Sequence, residues 1–481
     1  MRCGRYPGLD KRLTDFDVDP GRFDRTARAA STAHEQVQLD ALEPRSIAGS
    51  GLDVFWNEPH IDSCFLPLDN ELPPPHHASG TEATRRATGP LVRGTLQAHF
   101  AGHRMLTLVP RLPSSERNSM DDGKPLQQAM LARCLCVVIH APGDLRIIEQ
   151  DVAAPGPGQV LVQVAYGGIC GSDLHYFHQG GFGSVRIKRP MTLGHEVAGN
   201  VTAVGPGVAR VRPGDRVAVN PSRPCGACTY CLEGLPNHCL EMRFYGSAMR
   251  DPHVEGAFRT LLLCDAVQCE LVAAHVPLQH AALAEPFSVG LHGVSRAGPL
   301  LGKRVLVSGC GPIGALAVAA ARVHGAAEIT ALDLTDETLT VARAMGAQHT
   351  INVATEPTWV QRYSADKGTF DVMLECSGNE RALRSGLEVM RPRGVVVQLG
   401  LGGDVSLPQN VVVAKELSVC GSFRFHAEFA LAMRLINDGR VDMAPMITGA
   451  FPITRAREAF ELASDRKRAM KVLLDFAPAP A

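Results

Sequence analysis

The chain has 481 residues, of which 45% are hydrophobic and 20% are charged, and its formal net charge is −1. Because a domain takes roughly 100–200 residues, this length allows about two to four domains with cores of their own. The hydrophobic content excludes a disordered chain, and the near-neutral charge gives no electrostatic footprint for binding nucleic acid or an anionic membrane.

Residues 1–130 differ in composition from the rest of the chain. They are rich in Pro, Arg and His, and stretches such as residues 72–75 and 112–115 are typical of loops. The N-terminus has no apolar core of the kind a secretory signal needs, and nowhere does the sequence reach the roughly 18 apolar residues of a membrane helix. We therefore expect residues 1–130 to be poorly ordered and the protein to be cytoplasmic.

From about Cys134 onwards the sequence predicts β-structure. Short apolar runs at residues 137–139 and 160–164 are typical of strands. Gly and Pro turns separate such runs at residues 155–158, 206–207 and 213–214. Short strands divided by tight turns favour a compact β-barrel over a helical domain.

Two turns in this region carry candidate metal ligands. Cys170 is preceded by Ile169 and followed by a glycine, and a second turn holds His195 and Glu196. A set of three protein ligands leaves one position open, which is the arrangement of a catalytic zinc site. One thiolate and one carboxylate also neutralise Zn²⁺, so that a neutral alcohol can bind and lose its proton. Further along, Glu285 is either another active carboxylate or simply a charge at a helix N-terminus.

A second cluster of cysteines follows the spacing Cys225-x2-Cys228-x2-Cys231-x7-Cys239. Four thiolates fill every position of a tetrahedral zinc ion and leave none for substrate, so we predict a structural zinc lobe. A zinc ribbon or finger is the alternative, but it normally has two ligand pairs a dozen or more residues apart. The other cysteines are too dilute for a disulfide scaffold, which indicates a reducing compartment.

The next segment alternates strands and helices. Residues 304–311, 328–332, 370–375 and 395–399 are strand-like, and residues 312–323 have a helical pattern. This alternation predicts a parallel sheet with helices on both faces. A helix near residues 428–436 and a strand at 471–475 then return to the barrel.

A glycine-rich turn joins the first of these strands to its helix. Gly309, Gly311 and Gly314 follow the dinucleotide-binding spacing, and Asp333 closes the next strand. The glycines allow close approach to a pyrophosphate, the helix N-terminus favours its charge, and the carboxylate accepts from a ribose 2′-hydroxyl. No Arg or Lys directly follows Asp333, so NAD is favoured over NADP. The predicted cofactor-binding residues are Gly309, Gly311, Pro312, Ile313, Gly314 and Asp333.

Residues 131–481 resemble the zinc-containing medium-chain alcohol and polyol dehydrogenases. The resemblance rests on the metal-ligand turns, the cysteine lobe and the stretches 170–177, 220–225, 242–249 and 421–425. It implies an α/β protein with a GroES-like β-barrel catalytic domain, a zinc lobe and a Rossmann doubly wound parallel sheet. The implied domains are 131–290 (catalytic, with the lobe at 225–239), 291–425 (Rossmann) and 426–481 (return to the catalytic domain). A homodimer or homotetramer is usual in the family.

The same resemblance implies roles for individual residues. Cys170, His195 and Glu196 become the ligands of the catalytic zinc, one of two zinc ions per chain. Glu285 and Ser172 take part in proton transfer, and the substrate is contacted by Tyr176 and Arg424. The substrate is a sugar acid, L-idonate being oxidised reversibly to 5-ketogluconate with NAD(P). Its carboxylate is expected to meet a cation, either Arg424 or Lys188.

Three other functions stay open at this point. One is a neutral polyol (sorbitol or xylitol) or threonine dehydrogenase, and another is a zinc-stabilised nucleotide-binding protein without zinc catalysis. The third comes from residues 47–105, which resemble the C-terminal part of the D-isomer-specific 2-hydroxyacid dehydrogenases. Glu58 and His76 match that family's catalytic pair, and Arg28 lies near the position of its substrate-binding arginine. The rest of that enzyme is missing, so we interpret the segment as a vestigial fusion or an over-long translation that begins before Met130.

Overall fold

The computed structural model describes residues 132–477. The predictions made for residues 1–130, including Arg28, Glu58 and His76, lie outside the described residues.

A β-barrel forms the first half of the described chain. Val160, Val162 and Val164 of its central strand are buried and alternate with more exposed neighbours, because successive side chains of a strand point to opposite faces. The strands are Ala132–Ala141 (β1), Asp144–Val152 (β2), Gln159–Gly168 (β3), Gly181–Phe182 (β4), Val185–Arg186 (β5), Met191–Thr192 (β6), Glu196–Val204 (β7), Arg216–Val219 (β8), Ser222–Arg223 (β9), Arg243–Phe244 (β10), Leu261–Asp265 (β11) and Cys269–Leu271 (β12). Three helices accompany them, Gly171–Gln179 (α1), Thr229–Leu232 (α2) and Leu278–Ala281 (α3).

A parallel sheet of six strands forms the second part, in the order β15-β14-β13-β16-β17-β18. Its strands are Arg304–Ser308 (β13), Glu328–Asp333 (β14), His349–Asn352 (β15), Phe370–Glu375 (β16), Met390–Gln398 (β17) and Ser418–Gly421 (β18). Its helices are Ala284–Ala297 (α4), Pro312–Val323 (α5), Asp336–Met345 (α6), Trp359–Tyr363 (α7), Glu380–Val389 (α8), Gln409–Ala414 (α9) and Glu428–Asn437 (α10).

Both faces of this sheet are covered, as the sequence predicts. Val305 and Val307 point into a core that they share with α4, α5 and α10. Leu306 lies between them in sequence but joins a different core with α7 and α8. This alternation of successive residues of one strand between two cores is the period-two pattern of a sheet buried on both sides. The predicted strand 304–311 is shorter in the structure because the turn begins at Gly309.

The C-terminal segment returns to the barrel. Helix Ala456–Ser464 (α11) lies between strands Ile447–Pro452 (β19) and Lys471–Asp475 (β20), and β20 pairs antiparallel with β3 in the main barrel sheet, whose order is β12-β8-β7-β3-β20-β19. Helix α10 packs in the core of the parallel sheet, while β19 is the first strand after residue 425 to join the barrel sheet. The packing of α10 favours a boundary later than the expected residue 426. We place the end of the nucleotide-binding domain between α10 and β19, and its start at α4, which spans the expected boundary at residue 290.

No helix in residues 132–477 is both long enough and apolar enough to cross a bilayer.

Candidate functional site

Cys170, His195 and Glu196 converge on one point of the barrel. One ligand atom from each lies within 4.8 Å of the ligand atoms of the other two. Cys170 is the N-cap of α1, His195 follows the turn at Gly194, and Glu196 begins β7, which pairs with β3. The site is buried, with His195 at 5% and Glu196 at 0% exposure. Sulfur, nitrogen and oxygen donors meeting in a buried pocket fit a zinc ion with one open position.

A carboxylate that the sequence analysis did not single out holds these ligands in place. Asp173 is fully buried; its Oδ2 accepts from the Cys170 N–H at 3.0 Å and its Oδ1 accepts from the Gly194 N–H at 3.1 Å. The same Oδ1 lies 3.9 Å from the His195 Nδ1, a buried atom with no hydrogen-bond partner in the described residues. Because 3.9 Å is too long for a hydrogen bond, Asp173 acts on the site through the backbones of Cys170 and Gly194. Its sequence signal is an acidic residue in the first turn of α1.

Lys471 is a second residue that sequence reasoning missed. Its Nζ donates to both carboxylate oxygens of Glu196, at 2.8 and 2.9 Å, and to the Ile169 carbonyl at 3.1 Å. Lysine and glutamate are 3% and 0% exposed, so the ion pair is shielded from water. A carboxylate oxygen has lone pairs enough to accept from Lys471 and to face a metal ion as well. The sequence signal is a lysine at a buried position of the apolar strand β20.

Burial dominates the protonation of the groups around this site. It raises the pKa of the Cys170 thiol to about 11, with a further contribution from the Glu196 carboxylate. Zinc ligation requires the thiolate, so binding of the metal must release this proton. Burial also raises the pKa of the Glu285 carboxyl to about 8, against the opposing effect of His195. Glu285 lies at the start of α4 and belongs to the same electrostatic cluster as the three ligands.

The four lobe cysteines also converge. Their Sγ atoms lie within 4.8 Å of one another, with 3.6 Å between Cys228 and Cys231 and 3.9 Å between Cys228 and Cys239. A tetrahedral ion with zinc–sulfur bonds of about 2.3 Å places its sulfurs about 3.8 Å apart, so the spacing fits zinc. The Leu240 N–H is the largest of the effects that lower the pKa of Cys228 to about 6, which favours the thiolate that zinc needs.

The lobe also packs against the segment that carries Arg424. The Asn237 side chain donates to the Phe423 carbonyl at 3.1 Å, and His238 stacks on the Phe423 ring with 5.8 Å between centroids. Arg424 itself lies over the Phe244 ring at 4.4 Å, and Phe244 lies 5.4 Å from the His195 ring. The structural lobe therefore fixes an arginine one aromatic ring away from the predicted catalytic zinc.

A cavity of about 260 Å³ opens beside this arginine. Phe244, Ser247, Met249, Arg250 and Arg424 line it. Arg250 already has partners in the segment that follows the lobe, since it donates to the Met242 carbonyl and forms an ion pair with Glu241. Within residues 132–477, Arg424 makes no ion pair; its polar contact is with the Met249 sulfur at 3.1 Å. Burial lowers the pKa of the Arg424 guanidinium to about 10, which leaves it charged at neutral pH.

The other predicted substrate and proton-transfer residues differ in their surroundings. Tyr176 is 1% exposed, and its hydroxyl accepts from the Ala248 N–H at 3.0 Å, so it supports the loop that lines the cavity. Lys188 is exposed and lies 3.7 Å from the Asp251 carboxylate, which makes Arg424 the stronger of the two candidate cations. Ser172 is half-buried in the first turn of α1.

The glycine turn after β13 has the geometry that a dinucleotide requires. Gly309 has a φ of +83°, and a Cβ on Gly314 would lie 1.8 Å from the Gly309 carbonyl oxygen. Gly311 caps α5 and Pro312 is its first residue, followed by Ile313. At the end of β14, Asp333 accepts from the Cys310 N–H at 2.6 Å, so the acidic residue is tied to the glycine turn.

The chain matches two family models. The alcohol dehydrogenase GroES-like domain matches residues 156–274, and the zinc-binding dehydrogenase model matches residues 312–438. The sequence is 43% identical over 340 residues to L-idonate 5-dehydrogenase (NAD(P)(+)) of Escherichia coli (strain K12), covering 70% of this chain and 98% of the relative. It is 35% identical over 350 residues to sorbitol dehydrogenase of Gallus gallus, covering 72% and 97%. The crystal structure of L-idonate 5-dehydrogenase from Escherichia coli superimposes with a TM-score of 0.70 at 40% identity, covering 72% of this chain and 99% of that one.

Proposed function

This chain belongs to the zinc-containing medium-chain alcohol and polyol dehydrogenases, and from that premise we propose that its substrate is a sugar acid. The reaction is the reversible oxidation of L-idonate to 5-ketogluconate, in which the substrate's secondary alcohol and NAD⁺ become a ketone, NADH and a proton. The predicted fold and zinc chemistry are confirmed by the family matches, and NAD(P) dependence is confirmed by them together with the similar dehydrogenases that use NAD(P). The convergence of Cys170, His195 and Glu196 argues against a nucleotide-binding protein without zinc catalysis.

The environment of Arg424 is the observation that favours a sugar acid as the substrate. Its guanidinium is half-buried beside the cavity, is charged at neutral pH, and forms no ion pair within residues 132–477, although the Glu285 carboxylate acts on it electrostatically. Burying a charge without a partner is costly, so such a group is usually completed by a ligand of opposite charge. The planar guanidinium matches a carboxylate through two parallel hydrogen bonds. A neutral polyol such as sorbitol offers hydroxyl groups but no charge to complete this site.

The residues of the site divide the work of the reaction. Zinc, when bound by Cys170, His195 and Glu196, lowers the pKa of a coordinated hydroxyl group. Asp173 holds the backbones of the turns that carry Cys170 and His195, and Lys471 holds the Glu196 carboxylate. Arg424 orients the substrate through its carboxylate, and the sheet's carboxyl edge holds the nucleotide.

Glu285 is the residue that we assign to proton transfer. Burial raises its pKa to about 8, and a general base works best when its pKa is near the working pH. Ser172 is half-buried close to Cys170 in sequence and in the same helix turn, so it is the second candidate for this path. Proton transfer by a positioned side chain contributes about 10²–10⁴-fold to a rate.

Replacing Arg424 with alanine tests the substrate assignment. We expect kcat/KM for L-idonate to fall about 100-fold, because a charge-assisted bidentate contact is lost, while kcat/KM for sorbitol falls much less. Steady-state rates of NAD⁺ reduction with both substrates give the comparison, and Lys188→Ala is the matched control with a surface cation removed. Equal losses on the acid and the polyol would contradict the role of Arg424, and a wild-type preference for sorbitol would contradict the proposed substrate.

Replacing Asp333 with serine tests the nucleotide site. We expect the KM for NAD⁺ to rise about 10- to 100-fold, because hydrogen bonds to a charged acceptor are worth about 1.5–3 kcal/mol. The KM for NADP⁺ should change little or fall, since a repelling carboxylate has been removed next to the 2′-phosphate. Initial rates at saturating substrate measure both values. An unchanged KM for NAD⁺ would exclude a ribose contact by Asp333.

Two further parts of the proposal stay predictions. They are a cytoplasmic location and a homodimer or homotetramer assembled through the edge of the parallel sheet.

A further inference from the structure

Glu375 is a fully buried carboxylate that none of the steps above uses. It ends β16, and its side chain is surrounded by hydrogen-bond donors. Oε1 accepts from the Ser377 N–H at 2.9 Å and from the Ser377 hydroxyl, and Oε2 accepts from the Gly378 N–H at 3.0 Å and the Gln398 amide at 2.5 Å. The carboxylate is held in one position by four donors, three from the loop after β16 and one from the end of β17.

The pattern of donors indicates that Glu375 is ionised. Backbone N–H groups and the Gln398 amide nitrogen can only donate, so none of them could accept a proton from a neutral acid. The Ser377 hydroxyl, which also accepts from the Asn379 N–H at 3.1 Å, is the one neighbour that could accept as well as donate, while the three donor-only groups favour the charged form of the carboxylate that accepts from them. No lysine, arginine or histidine forms an ion pair with Glu375 within residues 132–477. The protein therefore keeps a negative charge buried here without a compensating cation.

The position of this charge in the sheet is informative. β13 and β16 are neighbours, and the strand order reverses between them, which is the point where dinucleotides lie across the carboxyl ends of the strands. The adenosine half of the cofactor belongs on the β14 side of this cleft, because Asp333 on β14 is the predicted partner of its ribose. Glu375 lies on the other side, where the Cys376 N–H donates to the Ser308 carbonyl at 2.8 Å and connects its loop to the start of the glycine turn.

The same side of the cleft leads to the substrate. The Leu399 and Gly400 N–H groups donate to the Glu375 carbonyl, at 2.8 and 2.9 Å, so the loop after β17 packs onto Glu375. One strand further, β18 ends at Gly421 and the chain runs directly to Arg424. Because hydride transfer requires the nicotinamide to meet the substrate, the nicotinamide half of the cofactor belongs on the Glu375 side.

We propose that the buried charge of Glu375 makes this site favour the oxidised cofactor over the reduced one. The nicotinamide ring of NAD⁺ carries a positive charge and that of NADH is neutral, so a nearby uncompensated carboxylate attracts only the oxidised ring. The overall equilibrium of the reaction cannot change, but the balance between the two bound cofactors does. Glu375 is in this sense a positioning and specificity-determining residue, and its role rests on the nucleotide site of the proposed function.

The ratio of two dissociation constants tests the proposal. Isothermal titration calorimetry gives Kd for NAD⁺ and for NADH on the zinc-loaded wild-type protein and on Glu375→Gln, which keeps the size of the side chain and removes its charge. We expect Kd(NAD⁺)/Kd(NADH) to rise about tenfold in the variant, since one unit charge in the interior acts on only one of the two ligands. Glu380→Gln is the matched control: it removes a half-buried carboxylate that is paired with Arg384 at the start of α8, and the ratio should not change.

A second variant covers the case in which Glu375→Gln does not fold. Gln398→Lys keeps the carboxylate and places a cation against its Oε2, at a position that is half-buried. It should raise the ratio in the same direction as Glu375→Gln. If either folded variant weakens the binding of NAD⁺ and NADH equally, the effect comes from altered loop structure and not from the charge of Glu375. The proposal is then overturned. Failure of the wild type to bind either cofactor would instead overturn the proposed nucleotide site. Asp333→Ser should weaken the binding of NAD⁺ and NADH alike, so it distinguishes a general loss of nucleotide binding from a change in the preference between the two cofactors.

Discussion

Replacing Cys170 with alanine is expected to lower kcat/KM for L-idonate at least about 1000-fold. The predicted zinc at this site would lose its only thiolate ligand, and Lewis-acid stabilisation of the reacting oxygen is worth several kcal/mol. The fold should survive, because Cys170 is a half-buried helix cap whose backbone, not its side chain, makes the hydrogen bond to Asp173. Loss of activity without loss of structure is therefore the expected result.

Measuring the metal content shows which of the two predicted zinc sites the substitution affects. Mass spectrometry of the native protein should find two zinc ions per chain in the wild type and one in Cys170→Ala, since the lobe cysteines form a separate cluster. Cys420→Ala is the matched control: its Sγ donates to the Arg296 carbonyl at 3.7 Å and belongs to neither cysteine cluster, so the variant should keep both ions and full activity. Full turnover by a protein whose catalytic site is verified to be empty of metal would contradict the assigned role of the site.

The parts of the site that the sequence predicted are those whose chemistry is local. Cys225, Cys228, Cys231 and Cys239 lie in one short segment of the sequence, so spacing alone indicated a metal site. The glycine turn and Asp333 are likewise read from one βαβ unit. In the parallel sheet, apolar runs located the strands, although their ends moved by a few residues, because a turn such as that at Gly309 depends on backbone geometry that hydrophobicity does not encode.

The residues that support the site could not be predicted in the same way. Lys471 meets Glu196 across 275 positions of sequence, and only the pairing of β20 with β3 brings them together. Glu375 reads as an ordinary acidic residue at the end of a strand until Gln398 and the two loops are placed around it. The contact of the lobe with Phe423 also joins distant segments. Partners of this kind are brought together by tertiary packing, whereas metal and nucleotide motifs consist of residues that are close in the sequence.

Substitution of Lys471 is the second change for which we expect a large effect, in this case on the stability of the fold. Replacing it with methionine should lower the free energy of unfolding by about 3–5 kcal/mol, because Glu196 is then left as a buried charge without its partner. The Ile169 carbonyl loses a donor as well. Differential scanning calorimetry of the metal-stripped protein should record the fall in Tm. With zinc supplied, the loss should be smaller, since a bound cation compensates the charge of Glu196.

Two further variants decide whether the effect belongs to the ion pair. The double substitution Lys471→Met with Glu196→Gln removes both charges, so it should regain much of the lost stability. Arg455→Met is the matched control for loss of a cation, because its pair with Glu458 is exposed and such pairs are worth about 0–1 kcal/mol. If Lys471→Met were no more destabilising than Arg455→Met, or if the double variant were as unstable as the single one, Glu196 would not depend on Lys471. The expected pattern would mean that strand β20, which carries Lys471, completes the pocket in which the predicted zinc ligands meet.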